Sequence, residues 1–208
     1  KHDATATMNI IVRLYGSGKF LCRPDTSWER ENKDLFAPDS VSSYLWTPIL
    51  FARISKAGKC VGRKFASRYW DAVSYGTLLY VGDMLDGSPE SMACASCADR
   101  TSVLPFPMYD KATLESGLNT FSLRIDSIEA YSTVTEGATE MIEEAITASS
   151  AIVSLRIGDI IAIELAPMQP MGQGVQTEAH GTCDRSPEMT EISGTFCDNE
   201  LFKFNIIM

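Results

Sequence analysis

The sequence predicts a strand-dominated α+β domain with one or two helices, and three segments carry that prediction. Residues 119–134, NTFSLRIDSIEAYSTV, alternate apolar and polar side chains, as a half-buried pair of strands does. Residues 40–52 contain no charged residue and are rich in β-branched and aromatic side chains, which indicates a buried strand despite Pro48 in its middle. Residues 138–155 carry an apolar stripe at helical spacing.

The remaining elements follow the same reasoning from periodicity and turn residues. Polar residues 1–7 indicate a frayed tail, and residues 8–208 contain no linker or repeat that would divide them, so we predict a single domain there. A helical start in GRKFASRYWDAVSYG passes into a strand. Further strands are predicted over 8–15, 19–25, 156–166 and 201–208, with a loop over 168–189.

Composition excludes several classes of function. The chain has 208 residues, 45% of them hydrophobic, which is enough for a sizeable core. A net charge of −9 argues against nucleic acid as a partner, because such binding relies on many basic residues. No apolar run approaches the roughly 18 residues that would cross a bilayer, so we expect no membrane partner. We therefore expect a cytoplasmic protein.

Few residues suit covalent or acid–base catalysis. His2 and His180 are the only histidines and lie in the predicted tail and loop, so we expect neither to act as a general base. Cys94 and Cys97 form the motif CASC, which allows a thiol or zinc protein, although the six cysteines read more simply as dispersed thiols. Glu164 interrupts the apolar strand IIAIELA: it either faces inward with a partner or, as we expect, faces solvent.

Four segments, taken in order, resemble the catalytic domain of the fumarylacetoacetate hydrolase family. RPDTSWERENKDLFAPD (23–39) is similar to its K-P-D-[ST] stretch, and residues 53–76, RISKAGKCVGRKFASRYWDAVSYG, are similar to its GK-x-I-x-x-KFA segment. SLRIGDIIAI (154–163) and LFKFNI (201–206) resemble the strand before its T-G-T-P motif and its closing strand. The resemblance implies a mixed β-roll or β-sandwich, a homodimer, and Mg²⁺ or Ca²⁺ held by three carboxylates that activates an oxo-acid substrate.

The functional residues of that family are not retained at the matching positions. Thr47 and Ile49 stand where its H-Y-E-x-E strand has two metal-binding glutamates, and Leu78 stands where the third ligand, an aspartate, is expected. Leu45 replaces the histidine of that strand, and Ser96 falls near the family lysine. IELAP (163–167) replaces T-G-T-P, and the lid with the catalytic histidine is largely missing between Tyr15 and Lys19.

We therefore predict a non-catalytic relative of these metal-dependent hydrolases and isomerases, with no cofactor and with a small-molecule-binding or assembly role. The vestigial pocket would be marked by four residues, Asp83, Ser96, Asp99 and Glu164. An active hydrolase or isomerase with relocated ligands is the alternative, and it requires Asp83, Asp99 and Glu164 to converge around an ion. A thiol or zinc protein built on Cys94 and Cys97 is the other alternative.

Overall fold

The computed structural model describes residues 8–171 and 189–208, so the predicted tail and most of the predicted loop 168–189, with His2, His180 and Cys183, lie outside the described residues. The described residues form two α-helices, α1 Pro89–Ala95 and α2 Ala138–Ile152. Short 3₁₀ helices span Asp25–Ser27, Arg63–Arg68, Gly82–Met84 and Lys111–Leu114. The strands are β1 Ile10–Arg13, β2 Phe20–Arg23, β3 Trp28–Glu29, β4 Leu35–Phe36, β5 Tyr44–Ile54, β6 Trp70–Val81, β7 Ser102–Val103, β8 Tyr109–Asp110, β9 Thr120–Ile125, β10 Ile128–Val134, β11 Ile160–Glu164, β12 Gln169–Pro170, β13 Met189–Phe196 and β14 Asn199–Ile207.

Two mixed sheets build the molecule and confirm the predicted β-rich α+β class. The larger sheet has the order β2-β1-β11-β5-β6-β7-β3, with β12 also paired to β5 and β8 to β6. The smaller sheet has the order β10-β9-β13-β14-β4. Their facing sides share one core, in which the Tyr75 ring lies 4.7 Å from that of Phe121 and 5.0 Å from that of Phe196.

The β5–β6 strand pair is the longest in the fold, and it accommodates Pro48 without losing a hydrogen bond between these two strands. Pro48 lies opposite Thr77, and its carbonyl accepts the N–H of Leu165 on the β11 side. Because the N–H and C=O of one residue in an antiparallel ladder point the same way, the missing N–H also faces that side. There β11 ends opposite Ile49 and β12 begins opposite Trp46, so the proline lies between two partner strands.

Helix α2 confirms the predicted amphipathic helix and ends three residues earlier than expected. It begins after Gly137, which adopts a left-handed φ of 74°, and it buries Ile142, Ala145 and Ile146 against the core. Val153 takes an extended conformation that ends the helix. The side chain of Ile152 is consequently left 72% exposed on the last turn.

The main differences from prediction are a 3₁₀ helix in place of a helical start and a strand that the sequence pattern does not mark. The predicted helical start is the 3₁₀ helix Arg63–Arg68, and β6 already begins at Trp70. Strand β13 was not predicted, because its apolar residues are few and follow a loop rich in glycine and proline. In residues 8–171 and 189–208, no helix is long and apolar enough to span a membrane.

Gly76 provides a test of how closely β6 approaches β7. A Cβ at this position would collide with the backbone carbonyl of Val103, which has no room to move within the sheet. We expect Gly76→Ala to lower the free energy of unfolding by about 1–3 kcal/mol, measured by chemical denaturation. Gly62→Ala is the matched control, because its Cβ would meet only a Phe65 ring carbon at 3.8 Å and should change stability by about 0.5 kcal/mol or less. Equal effects of the two substitutions would contradict this packing.

Candidate functional site

The three positions expected to hold metal ligands do meet in the structure. Thr47 on β5 lies directly opposite Leu78 on β6, and Ile49 follows two residues along the same face of the sheet. All three side chains are fully buried. This face lies away from the core between the sheets, and its apolar side chains belong to a second buried cluster, which also contains Phe51 on β5 and Leu104.

These side chains do not fit a divalent cation. Mg²⁺ and Ca²⁺ require several oxygen ligands, mainly carboxylates, whereas Ile49 and Leu78 offer only hydrocarbon. The Thr47 hydroxyl donates to the carbonyl oxygen of Ala166 at 2.7 Å, and the Thr47 carbonyl accepts the Thr77 hydroxyl at 3.0 Å. Thr47 therefore holds the chain as it leaves β11, and the three positions form part of the core.

Glu164, the last residue of β11, is buried beside these positions, so the expectation that it faces solvent is wrong. It lies opposite Ile49, and its residue is only 6% exposed. Its carboxylate accepts the Tyr80 hydroxyl at 2.5 Å and the backbone N–H of Tyr15 at 2.8 Å. Strand β11 lies between β1 and β5 with both faces covered, so alternation along it never reaches solvent.

The Tyr80 ring connects Glu164 to a buried arginine that the sequence did not mark as functional. The Arg23 guanidinium lies 4.4 Å from the centre of that ring and is 2% exposed. It donates to the carbonyls of Leu79 and Thr101 at 2.7 and 3.1 Å and to the Ser102 hydroxyl at 3.0 Å. Two features of the sequence could have drawn attention to Arg23: it ends a predicted strand before Pro24, and it matches the lysine of the K-P-D-[ST] stretch in the resemblance. We call Arg23, Tyr80 and Glu164 the buried polar chain.

Burial controls the ionisation of these groups. Desolvation raises the pKa of Glu164 above its usual range, and the hydrogen bonds from Tyr80 and Tyr15 and the charge of Arg23 only partly oppose that rise. Desolvation also raises the pKa of the Tyr80 phenol and lowers the pKa of Arg23. Glu164 also lines a cavity of about 350 Å³ with Tyr15, Glu144 and other residues, so its carboxyl combines a raised pKa with a position on a cavity wall.

Within the described residues, none of the other three predicted pocket residues forms a hydrogen bond with Arg23, Tyr80 or Glu164. Asp83 is exposed after β6 and accepts the N–H groups of Ser42 and Ser43 at 2.7 and 3.0 Å, and these bonds, with one from the Ser42 hydroxyl, lower its pKa. Ser96 is buried at the end of α1, where its hydroxyl donates to the Met92 carbonyl at 2.5 Å. Asp99 is exposed in the following turn. The hydrogen bonds of Asp83 and Ser96 thus give both residues a local structural role.

Other ligand arrangements find little support in the described residues. No group of three or more His, Cys, Asp or Glu residues within 8–171 and 189–208 is arranged to hold a metal ion. Cys94 and Cys97 are free, exposed thiols in and just after α1, and the Cys97 sulfur contacts the Ala93 carbonyl at 3.1 Å. Residues 14–19 join β1 to β2 in a hairpin closed by the Leu14 N–H and the Lys19 carbonyl, so a lid has no place between these strands.

Comparison with known proteins identifies the class of fold. No family sequence profile and no curated protein sequence matches the chain. Solved structures do match: a fumarylacetoacetate hydrolase family protein from Yersinia pestis has 14% identity and a TM-score of 0.75 over 97% of this chain and 93% of that one. Fumarylpyruvate hydrolase from Pseudomonas aeruginosa, solved with Mn²⁺ and pyruvate, has 14% identity and a TM-score of 0.69 over 100% and 98%.

A third similar structure is 2-hydroxyhepta-2,4-diene-1,7-dioate isomerase from Mycobacterium marinum, with 15% identity and a TM-score of 0.70 over 96% of this chain and 73% of that one. The described residues therefore adopt the fold of the fumarylacetoacetate hydrolase family. This confirms the fold that the resemblance in sequence implied.

The raised pKa of Glu164 predicts a pH dependence of stability. A carboxyl whose pKa is higher in the folded state stabilises the fold most below the unfolded pKa of about 4.3 and loses that contribution as the pH rises through the folded value. Unfolding in denaturant, followed between pH 4.5 and 8, should show wild-type stability falling relative to Glu164→Gln as the pH rises. Asp83→Asn is the control; its lowered pKa acts in the opposite direction, at lower pH. Parallel curves for wild type and Glu164→Gln would contradict the assignment.

Proposed function

We propose that this protein is a non-catalytic relative of the metal-dependent enzymes that share its fold. One observation carries the proposal: Thr47, Ile49 and Leu78, at the positions where the resemblance expects three carboxylates, converge on one face and present one hydroxyl and two hydrocarbon side chains. The convergence supports the alignment of these positions with a metal site. Their chemistry supports the loss of that site.

The surrounding packing supports the same proposal. Ile49 and Leu78 belong to a continuous apolar cluster with Phe51, Ile160 and Ala162, and each fully buried aliphatic side chain of this size contributes about 1.5–3 kcal/mol of transfer free energy. An ion placed there would lose its water without gaining ligands of opposite charge. The site is therefore better suited to stabilising the fold than to Lewis-acid chemistry.

Acid–base catalysis by Glu164 is the second candidate function, because this carboxyl has a raised pKa and borders a cavity. Both of its oxygens already accept hydrogen bonds, one from Tyr80 and one from the Tyr15 backbone. These bonds leave a lone pair on each oxygen, but they hold the carboxyl in a residue that is only 6% exposed, away from a substrate in solvent. The non-catalytic proposal is favoured because Thr47, Ile49 and Leu78 supply no carboxylate for a metal.

The first experiment is an assay with fumarylpyruvate, the substrate class named for the similar Pseudomonas aeruginosa enzyme, in millimolar Mn²⁺ or Mg²⁺. We expect the wild-type protein and Glu164→Gln to consume substrate at the same rate as buffer containing the metal. That enzyme itself serves as the positive control. Turnover by the wild type that Glu164→Gln abolishes would establish the second candidate instead, and metal-dependent turnover that survives the substitution would overturn both.

The second experiment asks whether a metal site persists in latent form. Leu78→Asp places a carboxylate among apolar side chains and should cost about 3–5 kcal/mol of stability, as unpaired buried charges do. Leu78→Asn is the matched neutral control. We expect millimolar Mn²⁺ to leave the melting temperature of both variants unchanged. A rise for Leu78→Asp alone would show that one restored carboxylate is enough to bind a cation, and this would contradict the loss of the rest of the site.

The homodimer implied by the resemblance stays a prediction, and light scattering coupled to size-exclusion chromatography tests it. A mass near 22.8 kDa would exclude it, whereas twice that mass would support it.

A further inference from the structure

The largest of the cavities that we describe lies on the opposite side of the β1–β11 layer from Thr47, Ile49 and Leu78. It measures about 600 Å³ and separates the β1–β2 hairpin from the last turns of α2. We call it the α2 groove, and its walls are formed chiefly by Ile11, Phe20, Cys22, Ala148, Ile152 and Val153. Ile11 packs in the core between the sheets, whereas Ile49 and Leu78 belong to the cluster on the other face.

The chemistry of the groove is apolar with a positive rim. Its lining contains Lys19 and no acidic residue. A second ammonium, that of Lys59, lies 3.4 Å from the carbonyl oxygen of Ile152 on the α2 wall. Both lysines are exposed, and neither forms an ion pair with a carboxylate of the described residues. In a chain with a net charge of −9, the groove thus has one ammonium in its lining and a second beside its α2 wall, neither of them paired with a carboxylate of the described residues.

We propose that the α2 groove binds a small amphiphile that has one anionic head group and an apolar chain. Its volume lies within the range of about 300–1,000 Å³ that is typical of small-molecule sites. The chain would lie between Phe20 and Ile152, where it removes apolar surface from water. The head group would lie at the rim, where Lys19 and Lys59 supply charge-assisted hydrogen bonds.

This inference goes beyond the proposed function and does not depend on it. The groove uses none of Thr47, Ile49, Leu78 or the buried polar chain. Ligand binding in the groove would therefore survive the discovery of catalytic activity, and failure to bind would leave the non-catalytic proposal unchanged.

Cys22 provides a direct reporter, because its exposed thiol lines the groove. The rate of its alkylation by iodoacetamide, followed by peptide mass spectrometry, should fall about tenfold when monomeric dodecanoate is present at ten times its dissociation constant. Cys94, an exposed free thiol in α1, is the internal control and should react at an unchanged rate. Protection of both thiols, or of neither at any dodecanoate concentration below micelle formation, would overturn the proposal.

Two variants test separately how the apolar wall and the charged rim of the α2 groove contribute to binding. Ala148→Trp, at an exposed helix position, should fill the groove, slow Cys22 alkylation without ligand and abolish the effect of dodecanoate. The double substitution Lys19→Ala/Lys59→Ala should weaken dodecanoate binding about tenfold or more, as expected when a charge-assisted contact is lost. Lys33→Ala/Lys203→Ala removes the same charge elsewhere and should leave binding unchanged.

The head group and the source of the ligand are tested with three further probes. Dodecanol and dodecyltrimethylammonium have the same chain with a neutral or a cationic head, and we expect both to protect Cys22 more weakly than dodecanoate does. Equal protection by either probe would overturn the anionic assignment. Protection by phosphatidylserine vesicles without protection by dodecanoate would show a membrane surface rather than a small-molecule site and would also overturn it.

Discussion

The pairing of β5 with β6 determines most of what this molecule can do. Eleven residues of β5 are matched to β6 almost without a break, so the side chains of both strands are assigned to one face or the other by simple alternation. One face meets the smaller sheet and α2, and the other carries Thr47, Ile49 and Leu78. Since both faces are covered, a charged side chain on either strand would carry a large desolvation penalty. This explains the charge-free run over residues 40–52.

The buried polar chain is the exception to this rule, and its members depend on one another. Arg23 is charged and nearly inaccessible, and its stability rests on backbone carbonyls, hydroxyls and the face of the Tyr80 ring. The Tyr80 hydroxyl in turn donates a hydrogen bond to the Glu164 carboxylate. Removing the Tyr80 hydroxyl would leave the Glu164 carboxylate with an unmet hydrogen bond, and removing Arg23 would take a donor from the Leu79 and Thr101 carbonyls, both in a medium of low dielectric constant. Replacing any one of Arg23, Tyr80 and Glu164 is therefore expected to cost more stability than replacing all three with apolar residues of similar size.

The sequence was informative where periodicity and burial agree. The hairpin β9–β10, the helix α2 and the buried strand β5 could be predicted because each has a long, regular pattern. Strand β13 could not be predicted because it has few apolar residues and follows a loop rich in glycine and proline, and the 3₁₀ helices could not because such short elements depend on tertiary contacts. Thr47, Ile49 and Leu78 were brought together by resemblance alone. Arg23 and Tyr80 were missed because nothing in a single sequence distinguishes a buried arginine from an exposed one, and Glu164 was misplaced because a strand covered on both faces has no outward side.

Pro48 has a consequence for register as well as for hydrogen bonding. With no N–H to offer, it denies a partner strand a regular ladder at this point of β5, which opposes both extension of β11 past Glu164 and a slip of two residues that would place Glu164 opposite Thr47. Such a slip would keep every apolar side chain on its own face and would thus escape the penalty that usually corrects register. It would, however, carry the Glu164 carboxylate about 7 Å along the sheet and away from Tyr80. Pro48 therefore helps to fix the register that places the Glu164 carboxyl beside the Tyr80 phenol.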